Sequence, residues 1–283
     1  MKINIIKSIS ILGAFLALSS FAQAQATNWT GAVSDDWNNA SNWSNGIPRS
    51  GTAPSINSGS NNPVITAGIS YNYNSVNIYN AKSLTITNGA SVGFTNVYLN
   101  SDSTSLIVTD GARLALDSSV SMITAVDSHV IVSNGASIVG SLSGGCEIRG
   151  NLTIAGGTLT AGNVYMHYGS SNNSLEFILS TDSVSKISAN LTLNSSYTSL
   201  TLDFEDMSSI VGGETFDIID GTITGTFTTI NLATLAEGLS WDLSQLYRNG
   251  VVSIAGTIIP EPSTYAAIFG ALALAFAIYR RRK

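Results

Sequence analysis

Three carboxylates, Asp102, Asp127 and Glu147, stand four, three and five residues before Leu106, Val130 and Leu152, and Arg149 follows close behind the last of them. Side chains at such offsets in a repeating chain are brought near one another on adjacent coils. Two carboxylates at about 5 Å would suit a retaining glycosidase, and oxygen ligands in that arrangement would suit Ca²⁺. Acids also favour exposed turns for purely local reasons, and that is the use expected here. A lyase acting on an acidic glycan would need gathered cations, whereas Lys82, Arg113, Arg149 and Lys186 are dispersed. No catalytic residue is assigned, and a non-enzymatic protein is expected. The competing class is a carbohydrate-active enzyme, hydrolase or lyase, or a glycan-binding module.

His129 and His167 lie 38 positions apart with no Cys or acidic partner at ligand spacing, so they are expected as surface or filler residues. Asp203, Glu205 and Asp206 alternate around Leu202 and Phe204, as the solvated side of a final strand would. No metal or cofactor is expected. Cys146 is the only cysteine, which excludes an intramolecular disulfide and reads as a small core filler. Trp29, Trp37 and Trp43 are candidate glycan contacts, and their alternative use is to plug the open end of an apolar column.

Removing residues 1–26 and 263–283 takes away six of the 12 cations and none of the 18 acids, so the remaining body carries −12. Its cations, Arg49, Lys82, Arg113, Arg149, Lys186 and Arg248, form no basic stripe, and nucleic acid is excluded as a natural partner. Only 11% of the chain is charged, while Ser, Thr, Asn and Gly abound, a balance suited to exported β-structure.

The elements that would position these residues repeat. Ser83-Leu84-Thr85-Ile86 recurs in altered form at Ser105, His129, Asn151, Ser174 and Ser199, at intervals of 22, 24, 22, 23 and 25. A near-constant period of this length marks stacked structural units. Gly89, Gly111, Gly135 and Gly157 follow the first four strands at one offset, and Asn88, Asp110 and Asn134 precede three of them. Asn-Gly and Asp-Gly adopt left-handed conformations at low cost, so a sharp corner is expected after each strand. Alternation sends Leu84 and Ile86 inward and Thr85 outward.

Parallel stacking of such coils predicts an all-β fold, a single-stranded parallel β-helix over residues 75–203. Capping regions are expected at 27–74, rich in Trp, and at 204–259. A leucine-rich horseshoe lacks support without its helical half and asparagine ladder, and a β-sandwich is the main rival.

The termini carry addresses. Lys2 and Lys7 precede the apolar run Ile9 to Phe21, and overlapping Ala-x-Ala patterns end at Ala24 and Ala26, which together predict a signal peptide over residues 1–26. At the other end Ser263 to Tyr279 is apolar and is followed by Arg280, Arg281, Arg282 and Lys283. About 17 helical residues cover roughly 26 Å, which predicts a C-terminal transmembrane helix within residues 260–283, and the cationic tail would stay cytoplasmic, leaving the body outside.

Pro260-Glu261-Pro262, the apolar segment and the basic tail resemble the PEP-CTERM sorting signal. That resemblance implies processing by exosortase, a membrane-embedded enzyme of Gram-negative exopolysaccharide producers, near Glu261 or Pro262. It further implies a membrane-anchored precursor that is exported across the inner membrane and delivered to the cell surface or extracellular space. Both cap regions resemble, more loosely, those of secreted passenger-type β-helical proteins. The function expected is structural or adhesive, in association with extracellular polysaccharide.

Overall fold

Leu84, Leu106, Val130, Leu152, Leu175 and Leu200 stand opposite one another in six successive strands of one parallel sheet. The intervals seen in the sequence are therefore the lengths of the coils. The computed structural model describes residues 26–66, 72–117, 120–166, 173–193, 196, 198–256 and 262–281. The expected signal peptide (but for Ala26), His167, Pro260, Glu261, Arg282 and Lys283 lie outside the described residues.

Each coil contributes to three faces. The first holds Ser83–Ile86, Ser105–Val108, His129–Ser133, Asn151–Ala155, Asn173–Leu179 and Thr198–Phe204. The second holds Ser91–Phe94, Arg113–Leu116 and Ser137–Val139, and the third holds Val97–Leu99, Val120–Thr124 and Gly145–Ile148. In later coils the second and third faces merge into the long strands Thr158–Met166 and Lys186–Leu193, whose register slips between Thr160 and Asn163. Pairing is parallel throughout the coil, so the fold is all-β, a parallel β-solenoid of about six turns.

Alternation sets which side is buried. Leu84, Ile86, Leu106, Val108, Val130, Val132, Leu152 and Ile154 are fully buried in a continuous aliphatic column. At roughly 1.5–3 kcal/mol for each large side chain removed from water, this column is the main source of stability.

Corners form where expected, with one correction. Asn88, Asp110 and Asn134 have φ of 54°, 53° and 51°, and the glycines after them are also left-handed. In the fourth coil the left-handed glycine is Gly156, at φ 69°, and not Gly157. A Cβ at Gly157 would instead lie 2.8 Å from the Val132 carbonyl group, so glycine there permits close approach of the preceding coil.

The coil also exceeds the bounds read from the repeat. Ser55–Ile56, Val64–Ile65 and Asn72–Tyr73 already begin the three faces, and Ile223–Thr224 and Thr229–Leu232 continue two of them past residue 203. These rungs use strands of two to four residues without the Ser-Leu-Thr-Ile pattern, which hid them from the periodicity. Beyond them, Thr215–Asp217, Val251–Gly256 and Leu239–Asp242 form a separate antiparallel sheet.

The chain closes in a helix, Pro262–Arg281. This does not bear out the expected transmembrane helix, since among the described residues no helix is long and apolar enough to cross a membrane.

Candidate functional site

The three carboxylates do not share one position in the coil, since Asp102 and Asp127 stand at neighbouring corners and Glu147 lies within a strand. Asp102 is exposed at a corner beside Ser103, which is left-handed at φ 61°. Asp127 occupies the next corner at φ 55°, and its carbonyl accepts the Ser103 N–H at 3.2 Å. Glu147 is not at a corner. It projects from the third face, opposite Ile123 and Tyr165, and accepts from Arg149 at 3.0 Å. The difference follows from the offsets themselves, since Asp127 lies two residues before the strand His129–Ser133 whereas Glu147 lies four before Asn151–Ala155, inside the strand Gly145–Ile148. Among the described residues no group of three or more His, Cys, Asp or Glu is placed to hold a metal.

His129 sits in a chain of polar groups that the sequence reading missed. Its Nε2 lies 2.9 Å from Thr153 Oγ1, and that hydroxyl donates to Glu176 Oε2 at 2.9 Å. With the threonine proton committed to the carboxylate, His129 Nε2 is the donor and carries a proton. Burial holds the imidazole below its usual pKa, opposed by the Glu176 charge. Thr153 is buried and Glu176 half-buried. The signal available in the sequence was positional, since Thr153 and Glu176 share one outward offset in consecutive repeats. Alongside them Ser174 Oγ donates to Asn151 Oδ1 at 2.7 Å.

A second ladder follows the first corner. Asp110 accepts from Thr87 at 2.7 Å and from Asn134 at 3.0 Å, one partner on the coil before and one on the coil after. Hydrogen bonds from Thr87 and Asn134 hold its carboxyl below the ordinary value. Polar side chains on both ladders are thus bonded rung to rung.

The remaining candidates resolve individually. Cys146 is buried, and burial pushes its thiol up to about 12, leaving it inert as a nucleophile. Asp203 and Glu205 are exposed, while Asp206 instead caps the short turn Met207–Ser209, accepting from the Ser208 N–H at 2.8 Å. Trp29, Trp37 and Trp43 are buried and pack edge to face, with centroids 5.0 Å and 4.7 Å apart. Their indole N–H groups bond to Asn61 O, Tyr73 Oη and Trp37 O. They plug the column and offer no open ring face to a sugar.

A cleft of about 470 Å³ separates the last full coil from the antiparallel sheet, lined in part by Leu179, Val184, Lys186, Glu214 and Phe216. Its charged groups are already engaged. Lys186 bonds to Asp217 at 2.6 Å and approaches Asp220 at 3.6 Å, and Glu214 accepts the Val211 and Gly212 N–H groups. The cleft is a seam that ties the sheet to the coil.

Residues 28–137 match the model of a domain of unknown function, DUF8693. No curated protein and no solved structure matches the chain.

Proposed function

We propose that this chain is an exported structural or adhesive protein of the cell surface or extracellular matrix, associated with exopolysaccharide and sorted through Pro260-Glu261-Pro262. The observation that carries the structural role is the outward surface of the coil. Its polar side chains are locked to one another between rungs, as in His129, Thr153 and Glu176 or Thr87, Asp110 and Asn134, and Glu147 is paired with Arg149. Such a surface suits a rigid rod that makes many weak contacts better than a centre that concentrates charge on one bond.

The sorting role rests on sequence. The helix Pro262–Arg281 serves as a transient anchor, its arginines reaching toward the headgroups. Two prolines keep the preceding segment extended and open to a processing enzyme of the exosortase type.

Fractionation of cells producing wild type or Glu261→Ala tests this reading. Wild type is expected as a shortened surface or released species, and the variant as a full-length species in the inner membrane. Full-length wild type in the cytosol, with both ends uncut, would overturn it.

A further inference from the structure

We propose that the export leader is cut between Ala24 and Gln25, and that the Ala26 this leaves on the mature chain is part of the N-terminal cap. The inference rests on the export reading above and assigns a processing site within it. Two overlapping patterns, Ala22-Gln23-Ala24 and Ala24-Gln25-Ala26, put small residues where a leader peptidase needs them. A cut after the second would begin the chain at Thr27 instead. The peptidase meets the chain before it folds, so the fold does not steer the cut; what the fold reveals is the product for which the cap is built.

Thr27 is held on two sides. Its carbonyl accepts the Ser55 N–H at 3.1 Å, and its hydroxyl donates to the Gly46 carbonyl at 3.0 Å while accepting the Asn45 N–H at 3.3 Å. Asn28 continues the segment, bridging to Ser55 and bonding to Ser44 through both its N–H and its carbonyl. Thr27 is accordingly only 2% exposed. One position earlier, the Ala26 carbonyl accepts from the Asn45 side-chain amide at 2.8 Å, and Ala26 itself is exposed. The chain thus meets solvent at Ala26 and not at Thr27.

The two cuts differ in what they do to this junction. Hydrolysis of the Ala26–Thr27 bond would remove the carbonyl that Asn45 holds and turn the Thr27 nitrogen into an ammonium, setting a charge on a residue packed between Ser55 and Gly46. It would also put the fraying end of the chain on the residue that joins the cap to Ser55. Hydrolysis of the Ala24–Gln25 bond, in which water leaves a carboxylate on Ala24 and an amine on Gln25, keeps every one of these contacts. The new amine can then attack Cδ of its own glutamine side chain, closing a lactam as the amide nitrogen leaves as ammonia. The terminus so formed carries no charge.

Lys7 and Arg49 flank this region with no Lys or Arg between them, so a tryptic digest of the protein recovered from producing cells reports the start of the chain directly. Mass spectrometry should find a peptide running from Gln25 to Arg49, intact or lighter by one ammonia. A peptide from Thr27 to Arg49 would overturn the proposal and leave export standing, whereas one from Ser8 to Arg49 would sink the export reading and this inference with it. Ala26→Leu spoils only the second pattern and should leave the start at Gln25. Ala22→Asp spoils only the first and should force a start at Thr27, and that product should melt about 2–4 °C lower, the shift that loss of one such hydrogen bond brings. Asn45→Ala should lower the melting point of the wild-type product by a similar amount and that of the Thr27 product no further, because its partner there is gone. Equal melting points for the two products would refute the part given to Ala26.

Discussion

The two ends of the coil are closed by different means, and the outermost strands of the first face show the contrast. At the N-terminal end Val64–Ile65 is itself covered, since Asp36 bridges to Val64 and the Trp37 N–H bonds to the Val64 carbonyl at 3.1 Å. Ile65 is 0% exposed beneath the tryptophan cluster. At the C-terminal end Thr229–Leu232 pairs on one side only among the described strands, and Leu232, which continues the inward column of Leu202, is 39% exposed. The N-terminal segment extends the parallel geometry, with bridges from Asn28 to Ser55 and from Asp36 to Val64, so it covers edges as well as core. The antiparallel sheet turns away from that geometry and covers core without covering every edge. A cap built in the register of the repeat protects more than one attached beside it.

The largest effect should come from charging the two end strands. Ile65→Asp buries an unpaired carboxylate and is expected to cost more than about 4 kcal/mol or prevent folding, whereas Leu232→Asp should cost about 1 kcal/mol or less. Urea unfolding of both variants measures the difference, and equal losses would erase the contrast between ends. Truncating the aromatic anchors is the next test. Trp37→Ala removes a buried ring packed on Trp43 and Tyr73 and should cost about 3–5 kcal/mol. Trp241→Ala should cost less, about 1–3 kcal/mol, since its half-buried ring stacks on Phe204 at 5.1 Å.

The corner ladder belongs to the N-terminal half, and Asn134→Asp would break it by setting a second carboxylate against Asp110. Mutual repulsion raises both carboxyl pKa values in the folded state, so stability is lost as pH rises through those raised values and returns on acidification. Thermal unfolding at pH 3.5 and pH 7 should show the melting point lowered only at the higher pH. The smallest effect concerns His129, which Thr153 and Glu176 face across two rungs. Its folded pKa is depressed by burial, so its contribution is present above about 6.5, the unfolded value, and is lost as pH falls through the folded value. His129→Gln should flatten the dependence of melting temperature on pH below 6.5 and leave the alkaline side unchanged.

Much of the coil was legible because its signals are local. Leu84 and Ile86 alternate with Thr85, and Asn88-Gly89 encodes its own corner, so neither needs information from elsewhere in the chain. The rungs Val64–Ile65 and Thr229–Leu232 were not legible, since two to four residues are too few to carry a period. The acids misled for a related reason. Asp127 and Glu147 both precede a repeat strand by a few residues, yet one is at a corner and the other within a strand, because Glu147 stands two residues farther back, inside Gly145–Ile148.

The amino-acid order alone determined the length of each coil, through the spacing of its repeats, and the side of each strand that turns inward and most of the left-handed corners, through residues within a few positions of one another. Only the tertiary structure decided which outward side chains become neighbours. Whether His129 meets Thr153, or Asp110 meets Asn134, is set by the rise from one rung to the next and by the offset between coils of unequal length. Those quantities exist only once the coils have stacked.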